Sequence, residues 1–539
     1  MALSYWAADR SRPILDLTAG EALRVAASKA PDRIALVEVM PHGMGSLVGA
    51  DATDRRWTYA ELLAEAENCA QWLLQSYASG ERVCLWAPNV PEWVIFQYGA
   101  ALAGLVLVTA NPALRAGELR YVLRQSKAVG LVHASAFRGT DMAAIAQEVA
   151  DEVRECFCIA DWQSVVRGRQ RAGELPVVSS SHPAQIQYTS GTTGEPKGVL
   201  LHHRGLVTNA SFVAARAGLD RGVFVSPLPL FHTGGSVVSA LGCVTTCSTY
   251  VLPLLFNADL MLDAIERERG DLIQGVPTMI IAMLEQQRKN RRDISSLRAA
   301  LCGGAPVPAE MQRRVKRDLG CDLLPLYGQT ELSPIVCQTS LDDSIEDKAT
   351  TSGRPLWQSE VKIADIETGE PVPFGTEGEI QVRGYQSMIG YNDMPEATAD
   401  RITSDGWLRS GDLGSMDARG YIKITGRMRD MIIRGGENIY PVEIEKVLFT
   451  HEAVADAAVF GVPDGYWGEV VGVAIRATDP TRPPTATELQ AHCRALLAPF
   501  KVPVRWLICN EFPLTASGKV QKFKLREQLA AGALEELGQ

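Results

Sequence analysis

The chain reads as an α/β protein: a large N-terminal domain of doubly wound sheets carrying a small β unit, then a smaller α+β C-terminal domain. Three observations predict this. Apolar strand-like runs alternate with amphipathic helices from Thr58 to Tyr327, the pattern of a parallel sheet wound with helices. From about Val361 short β runs separated by turns replace that alternation. After Gly426 a compact α+β pattern begins, so a boundary near Gly426–Arg429 divides residues 1–427 from 428–539.

The elements follow in order. Thr58 and Glu61 form a capping-box pattern, and Leu62, Leu63, Ala66, Ala70, Leu73 and Leu74 then recur at helical spacing. Arg82–Trp86 is a strand, a helix runs through Phe96 and Ala101, and Leu105–Val108 is a short strand. Helix 117–125 and strand 130–133 repeat the unit, and Ala184–Tyr188 alternates like a strand. Val223–His232 is apolar and punctuated by prolines. Helix 260–269, strand 271–275, a helix opened by Pro277, strand 297–301, the basic helix 309–319 and strand 322–327 continue the alternation. Val361–Ile366 and Gly378–Arg383 belong to the β unit. The last part reads as helix 442–448, strands 453–459 and 470–476, helix 485–497 with a Thr485/Glu488 capping box, and strand 504–509.

Length and composition bound the function. A chain of 539 residues suggests about three or four units at ~150 residues each. Net charge is −10, which argues against general nucleic-acid binding and still permits a local basic pocket. The 11 cysteines show no zinc-like spacing and read as free thiols of a reducing compartment. The N-terminus lacks a signal-peptide pattern, and the apolar stretch Trp93–Val108 falls short of the ~20 residues of a membrane span. A cytoplasmic protein is the expectation. The sequence leaves room for peripheral membrane contact and leaves oligomeric state open, a homodimer among the options.

The densest chemistry lies at Tyr188-Thr-Ser-Gly-Thr-Thr-Gly-Glu-Pro-Lys-Gly198. Glycines let backbone N–H groups face an anion, hydroxyls add donors and Lys197 adds a charge. Gly198 follows Lys197, so the stretch is not a Walker A loop. Two further polar signals follow apolar strands: Cys302-Gly-Gly-Ala-Pro306 and Gly328-Gln-Thr-Glu331. Ligands in such sheets sit at the carboxyl ends of strands, so the three signals are expected in one crevice.

The order of motifs carries a resemblance. Tyr188–Gly198 is followed by Pro229-Leu-Phe-His232, Gly303–Pro306, Leu326–Glu331, Gly406–Asp412, Gly426-Arg427, Gly435–Pro441 and Gly518-Lys519. Over roughly residues 20–530 the chain resembles the adenylate-forming superfamily, and within it the AMP-forming fatty acyl-CoA synthetases. The resemblance implies that a carboxylate attacks the α-phosphorus of ATP, giving acyl-AMP and pyrophosphate, and that a thiol then displaces AMP. It assigns Thr189, Ser190, Gly191, Thr192, Thr193, Gly194 and Lys197 to the β/γ-phosphates, and Mg²⁺ to Glu331 and Thr189, oxygen ligands that suit a hard cation. Tyr327 with Gly303, Gly304, Ala305 and Pro306 would bracket adenine, within a segment that includes Gly328 and Thr330. Asp412 would accept the ribose hydroxyls, with Arg427 beside it. His232 would sit near the carboxylate and α-phosphate, and Lys519 would bridge both. The small domain would rotate about Arg429, where many members have Asp or Lys, to present Gly435 and Gly436 to the pantetheine arm of coenzyme A.

The acid and the acceptor are argued from departures. His232 stands where amino-acid-activating relatives carry Asp, no carrier domain follows Lys519, and Gly426–Val459 lacks the insertion of fatty acyl-AMP ligases. Thr233–Ser236 and Val237–Leu241 suit an aliphatic tail. A medium- to long-chain fatty acid loaded on coenzyme A is therefore expected. An aryl- or other acyl-CoA synthetase, a fatty acyl-AMP ligase loading a carrier protein, and a non-catalytic nucleotide-binding protein are the alternatives.

Overall fold

The computed structural model describes residues 2–48, 54–166, 173–189, 196–303, 307, 309–435, 437–514 and 520–538. Its first sheet has seven strands in the order Gly390–Tyr391, Lys197–His202, Pro183–Thr189, Val106–Ala110, Arg82–Trp86, Gly130–His133 and Glu155–Cys158. The five from Pro183–Thr189 onward are parallel, and the two at the other edge are antiparallel. Parallel strands are covered on both faces, which accounts for runs such as Val83–Trp86 being wholly buried. It also accounts for Gln185 and Gln187, which alternate with Ile186 and yet are buried. Gln187 donates to Ser236 Oγ at 3.2 Å and to Gln185 Oε1 at 2.9 Å, so its burial is matched by hydrogen bonds.

The second sheet has nine strands: Arg354–Pro355, Ile335–Gln338, Asp322–Gly328, Ala299–Cys302, Leu272–Gly275, Val223–Val225, Thr249–Pro253, Ile34–Val39 and Arg56–Thr58. Its six middle strands are parallel. Between the sheets runs helix Pro91–Ala103, every residue of which is buried. Proline at its first turn and Gly104 at φ 71° after its last fix its ends. Helix Tyr59–Ser76 packs beside it and carries the anticipated capping box: Glu61 N–H donates to Thr58 Oγ1 at 3.2 Å and Thr58 N–H to Glu61 at 2.8 Å. Such a cap contributes about 1 kcal/mol. Among the described residues no helix is long and apolar enough to cross a membrane.

The small β unit is an antiparallel sheet of Tyr5–Trp6, Ser359–Ala364, Gly378–Gly384, Leu408–Met416 and Ile422–Arg427. Its edge strand comes from the N-terminus, which the sequence pattern did not mark as a strand. Beyond it lies a sheet built around Val454–Asp464, Gly468–Ala477 and Arg505–Ile508, with helices Pro441–Leu448, Ala486–Leu496 and Lys522–Ala530. Two apolar clusters of its own, one around Val459 and Ile475 and one around Phe460 and Leu507, give it a separate core. Helix Pro441–Leu448 packs on strand Ile422–Arg427, and the Tyr440 ring lies against Gly426.

Candidate active site

Strands Pro183–Thr189 and Lys197–His202 pair antiparallel down to Thr189 opposite Lys197. The glycine-rich stretch therefore joins two antiparallel strands, whereas a Walker A loop leads from a strand into a helix. Ser190, Gly191, Thr192, Thr193 and Gly194 lie outside the described residues. Thr189 and Lys197 are both half-buried at the open end of the pair. The Lys197 ammonium sits 5.0 Å from the centre of the Tyr391 ring, a cation–π contact.

Tyr391 links this sheet to the second one. Its O–H donates to Glu331 Oε1 at 2.9 Å, and the Met388 N–H donates to the Glu331 carbonyl at 2.9 Å. Glu331 belongs to a short 3₁₀ turn, Thr330–Leu332, that follows strand Asp322–Gly328, and both Thr330 and Glu331 are buried. Gly328 has no room for a side chain: a Cβ there would lie 1.9 Å from the Pro334 carbonyl oxygen. Gly303 closes the neighbouring strand against Leu326, while Gly304, Ala305 and Pro306 lie outside the described residues.

The small β unit supplies the third wall. Asp412 on strand Leu408–Met416 stands opposite Arg427 on strand Ile422–Arg427, and Arg427 Nε lies 3.0 Å from Asp412 Oδ1. From the second sheet Tyr327 donates its O–H to Asp412 Oδ2 at 2.7 Å. Both carboxylate oxygens are thereby fixed, and Asp412 is only 6% exposed. Burial, followed by the Asp412 charge, pushes the Tyr327 phenol well above its usual range. Burial opposes the Arg427 charge, yet Asp412 and Asp430 outweigh it and hold the guanidinium above its ordinary value.

His232 ends a loop that is tied down from both sides. Asn89 donates to the Pro227 and Leu228 carbonyls, each at 3.1 Å, and accepts from Leu230 N–H at 2.9 Å. Thr109 Oγ1 donates to the Phe231 carbonyl at 2.8 Å. The Gly234 N–H donates to His232 Nδ1 at 3.2 Å, so that ring nitrogen serves as an acceptor. The stretch that follows, Gly234–Leu241, is a fully buried π-helix, a form common at functional sites. Gln274 closes its far side, accepting from Ser239 Oγ at 3.0 Å.

In the C-terminal unit Gly435 is exposed at φ 59°, its N–H donating to the Trp467 carbonyl at 2.8 Å. A side chain there would strike the Trp467 ring at 2.7 Å as well as strain the backbone. Gly436, Lys519 and the Arg429 side chain lie outside the described residues. Of the residues expected from the sequence, Thr189, Lys197, Glu331, Tyr327, Asp412, Arg427 and His232 lie among the described residues, each with a neighbour named above. Asn89, Tyr391 and Arg401, whose Nε donates to the Tyr391 oxygen at 3.3 Å, also border these groups and carry no motif; the turn-like Gly390-Tyr391-Asn392 was the one signal in the sequence.

The donor set tests what could bind. Asp412 and Tyr327 offer an acceptor pair and an aromatic beside a glycine-lined strand end, which fits a nucleoside. Glu331 and Thr189 offer oxygen ligands only, which fits a hard cation. No group of three or more His, Cys, Asp or Glu able to hold a metal occurs among the described residues.

The family described as "AMP-binding enzyme" matches residues 23–392, and "AMP-binding enzyme C-terminal domain" matches residues 443–519. The medium-chain acyl-CoA ligase ACSF2, mitochondrial, of Macaca fascicularis is 34% identical over 565 residues, covering 98% of this chain and 89% of its own. ATP-bound MatB from Rhodopseudomonas palustris superposes with a TM-score of 0.85 at 27% identity, over 96% of this chain and 100% of that one. A Mycobacterium tuberculosis fatty acyl CoA synthetase superposes with a TM-score of 0.74 at 29% identity, over 96% and 99%.

Proposed function

The chain belongs to the AMP-binding enzyme family, and from that premise we propose that it activates a medium- to long-chain fatty acid and loads it on coenzyme A. It is an AMP-forming acid–thiol ligase: an acyl-CoA synthetase that uses ATP to form an acyl-adenylate and then a thioester. The observation that carries the nucleotide half is the Asp412 carboxylate, fixed by Tyr327 and Arg427 at the mouth of two sheets. An ionised carboxylate only accepts hydrogen bonds, so it suits a ribose diol. Thr189 to Lys197 would hold the β/γ-phosphates, and Tyr327 with Gly303–Pro306 would flank the base.

Glu331 and Thr189 would hold Mg²⁺, which when bound neutralises phosphate charge. His232, with Nδ1 engaged by Gly234, would present its Nε2 proton toward the reacting oxygens. Lys519 would bring an ammonium to the same oxygens, offsetting the charge that develops as the acid attacks the α-phosphorus and pyrophosphate leaves. A boundary at residues 427/428 and a swing about Arg429 would then exchange Lys519 for Gly435 and Gly436, along which the thiol of coenzyme A reaches the acyl carbon and releases AMP.

The fatty choice is supported by the buried, largely apolar helix Gly234–Leu241 beside His232, and by relatives named for medium-chain and fatty acids. A cytoplasmic location belongs to the same proposal, supported by 11 cysteines that are all free. The test is a panel of carboxylic acids with ATP and Mg²⁺, reading pyrophosphate and thioester separately. Medium- to long-chain fatty acids should give both products with coenzyme A. Preference for benzoates overturns the fatty assignment, and pyrophosphate without thioester overturns the acceptor.

A further inference from the structure

Tyr391 stands where three charged groups from distant parts of the chain meet. Its O–H donates to Glu331 Oε1 at 2.9 Å, its oxygen accepts from Arg401 Nε at 3.3 Å, and Lys197 Nζ lies 5.0 Å from its ring centre. The chemistry fixes the direction of both hydrogen bonds. A guanidinium only donates and an ionised carboxylate only accepts, so the single phenolic proton points at Glu331. The chain Arg401 → Tyr391 → Glu331 is polarised in one sense, which strengthens each bond in a buried site. Arg401 is itself anchored, donating Nη1 to the Arg409 carbonyl at 2.9 Å on the strand that carries Asp412. Tyr391 and Glu331 are each 6% exposed.

The backbone around Tyr391 is held as firmly as its side chain. Tyr391 pairs with Val199 across the strand edge, and the Asn392 N–H donates to the Gly198 carbonyl at 2.8 Å. The ring is thus locked to the strand that begins at Lys197. A direct Arg401–Glu331 pair would cancel the carboxylate's charge. The interposed neutral hydroxyl orients Glu331 and leaves its negative charge available to a cation. The ring face meanwhile holds Lys197 without consuming any carboxylate.

We propose that Tyr391 is a positioning residue for the magnesium–ATP complex, its hydroxyl aiming Glu331 and its ring seating Lys197, with Arg401 as the anchor behind it. This rests on the reading that Glu331 and Lys197 serve the metal and the phosphates. The test measures ATP affinity by calorimetry on the full chain, once with excess Mg²⁺ and once with EDTA, together with the Mg²⁺ concentration for half-maximal pyrophosphate formation. Tyr391→Phe keeps the ring and loses the hydroxyl. It should weaken magnesium–ATP binding about tenfold and leave metal-free ATP binding unchanged. Tyr391→Leu should weaken both, because Lys197 loses its seat. Arg401→Gln should move in the direction of Tyr391→Phe by about threefold. Equal weakening with and without metal in Tyr391→Phe, or no weakening, overturns the proposal. Glu331→Gln separates the two levels: if its Mg²⁺ dependence matches the native enzyme, the underlying metal reading fails; if it is impaired while Tyr391→Phe is native, only the role of Tyr391 fails.

Discussion

At the scale of residues, the chemistry depends on how few groups are shared among many partners. Asp412 has one oxygen on Arg427 and one on Tyr327, so its orientation is set before any ligand arrives. Tyr327→Phe removes one of those restraints and keeps the ring. It should weaken ATP binding about three- to tenfold with the melting temperature nearly unchanged; native affinity by calorimetry would remove the hydroxyl from the site. His203 makes a pH prediction. Burial, then the neighbouring His202 and His182, pulls its pKa down from 6.5 to about 3. Between those values the unfolded chain binds the extra proton, so stability is full above about 6.5 and declines as pH falls. The loss reaches about 2 kcal/mol by pH ~5. His203→Gln should lose less stability than the native chain between pH 7 and pH 5 in denaturant titrations; parallel losses would contradict the assignment.

At the scale of elements, the segment Pro227–Leu241 is the clearest case of sequence forced by packing. The loop is bonded to Asn89 and Thr109, then turns tightly into the π-helix. Gly235 sits at that turn, where a Cβ would lie 2.4 Å from the Pro229 carbonyl oxygen and 2.6 Å from that of Leu228. These are backbone atoms with no rotamer to relieve the clash. Gly235→Ala should therefore cost about 1–3 kcal/mol and lower the rate of adenylate formation more than it lowers ATP affinity. Native stability and native pyrophosphate release would show that the loop has room to shift. The strand pair Pro183–Thr189 and Lys197–His202 makes a related point. Its alternation was legible, but the burial of Gln185 and Gln187 was not, because Gln187, which bonds Gln185, finds its other partner in Ser236 on a helix 49 residues away.

At the scale of the whole molecule, three sheets meet at one crevice and a fourth, with its own core, carries the Gly435 segment. Two variants should separate the half-reactions. Lys519→Ala should abolish acid-dependent release of pyrophosphate from ATP while sparing ATP binding, and Gly436→Leu should spare acyl-AMP formation while blocking the thioester. Equal loss of both steps in Gly436→Leu contradicts a two-state swing. The sequence by itself determined the alternation of strands and helices, the capping boxes at Thr58 and Thr485, and the order of motifs that carries the family resemblance. Those features are local or periodic, and a side chain three or four positions away is enough to make them. Only the tertiary structure decided which groups touch: Tyr391 reaches Glu331 across 60 residues and Tyr327 reaches Asp412 across 85. Such contacts follow from strand order and register. These are set by burial of whole faces, and they leave no repeating mark on the residues that meet.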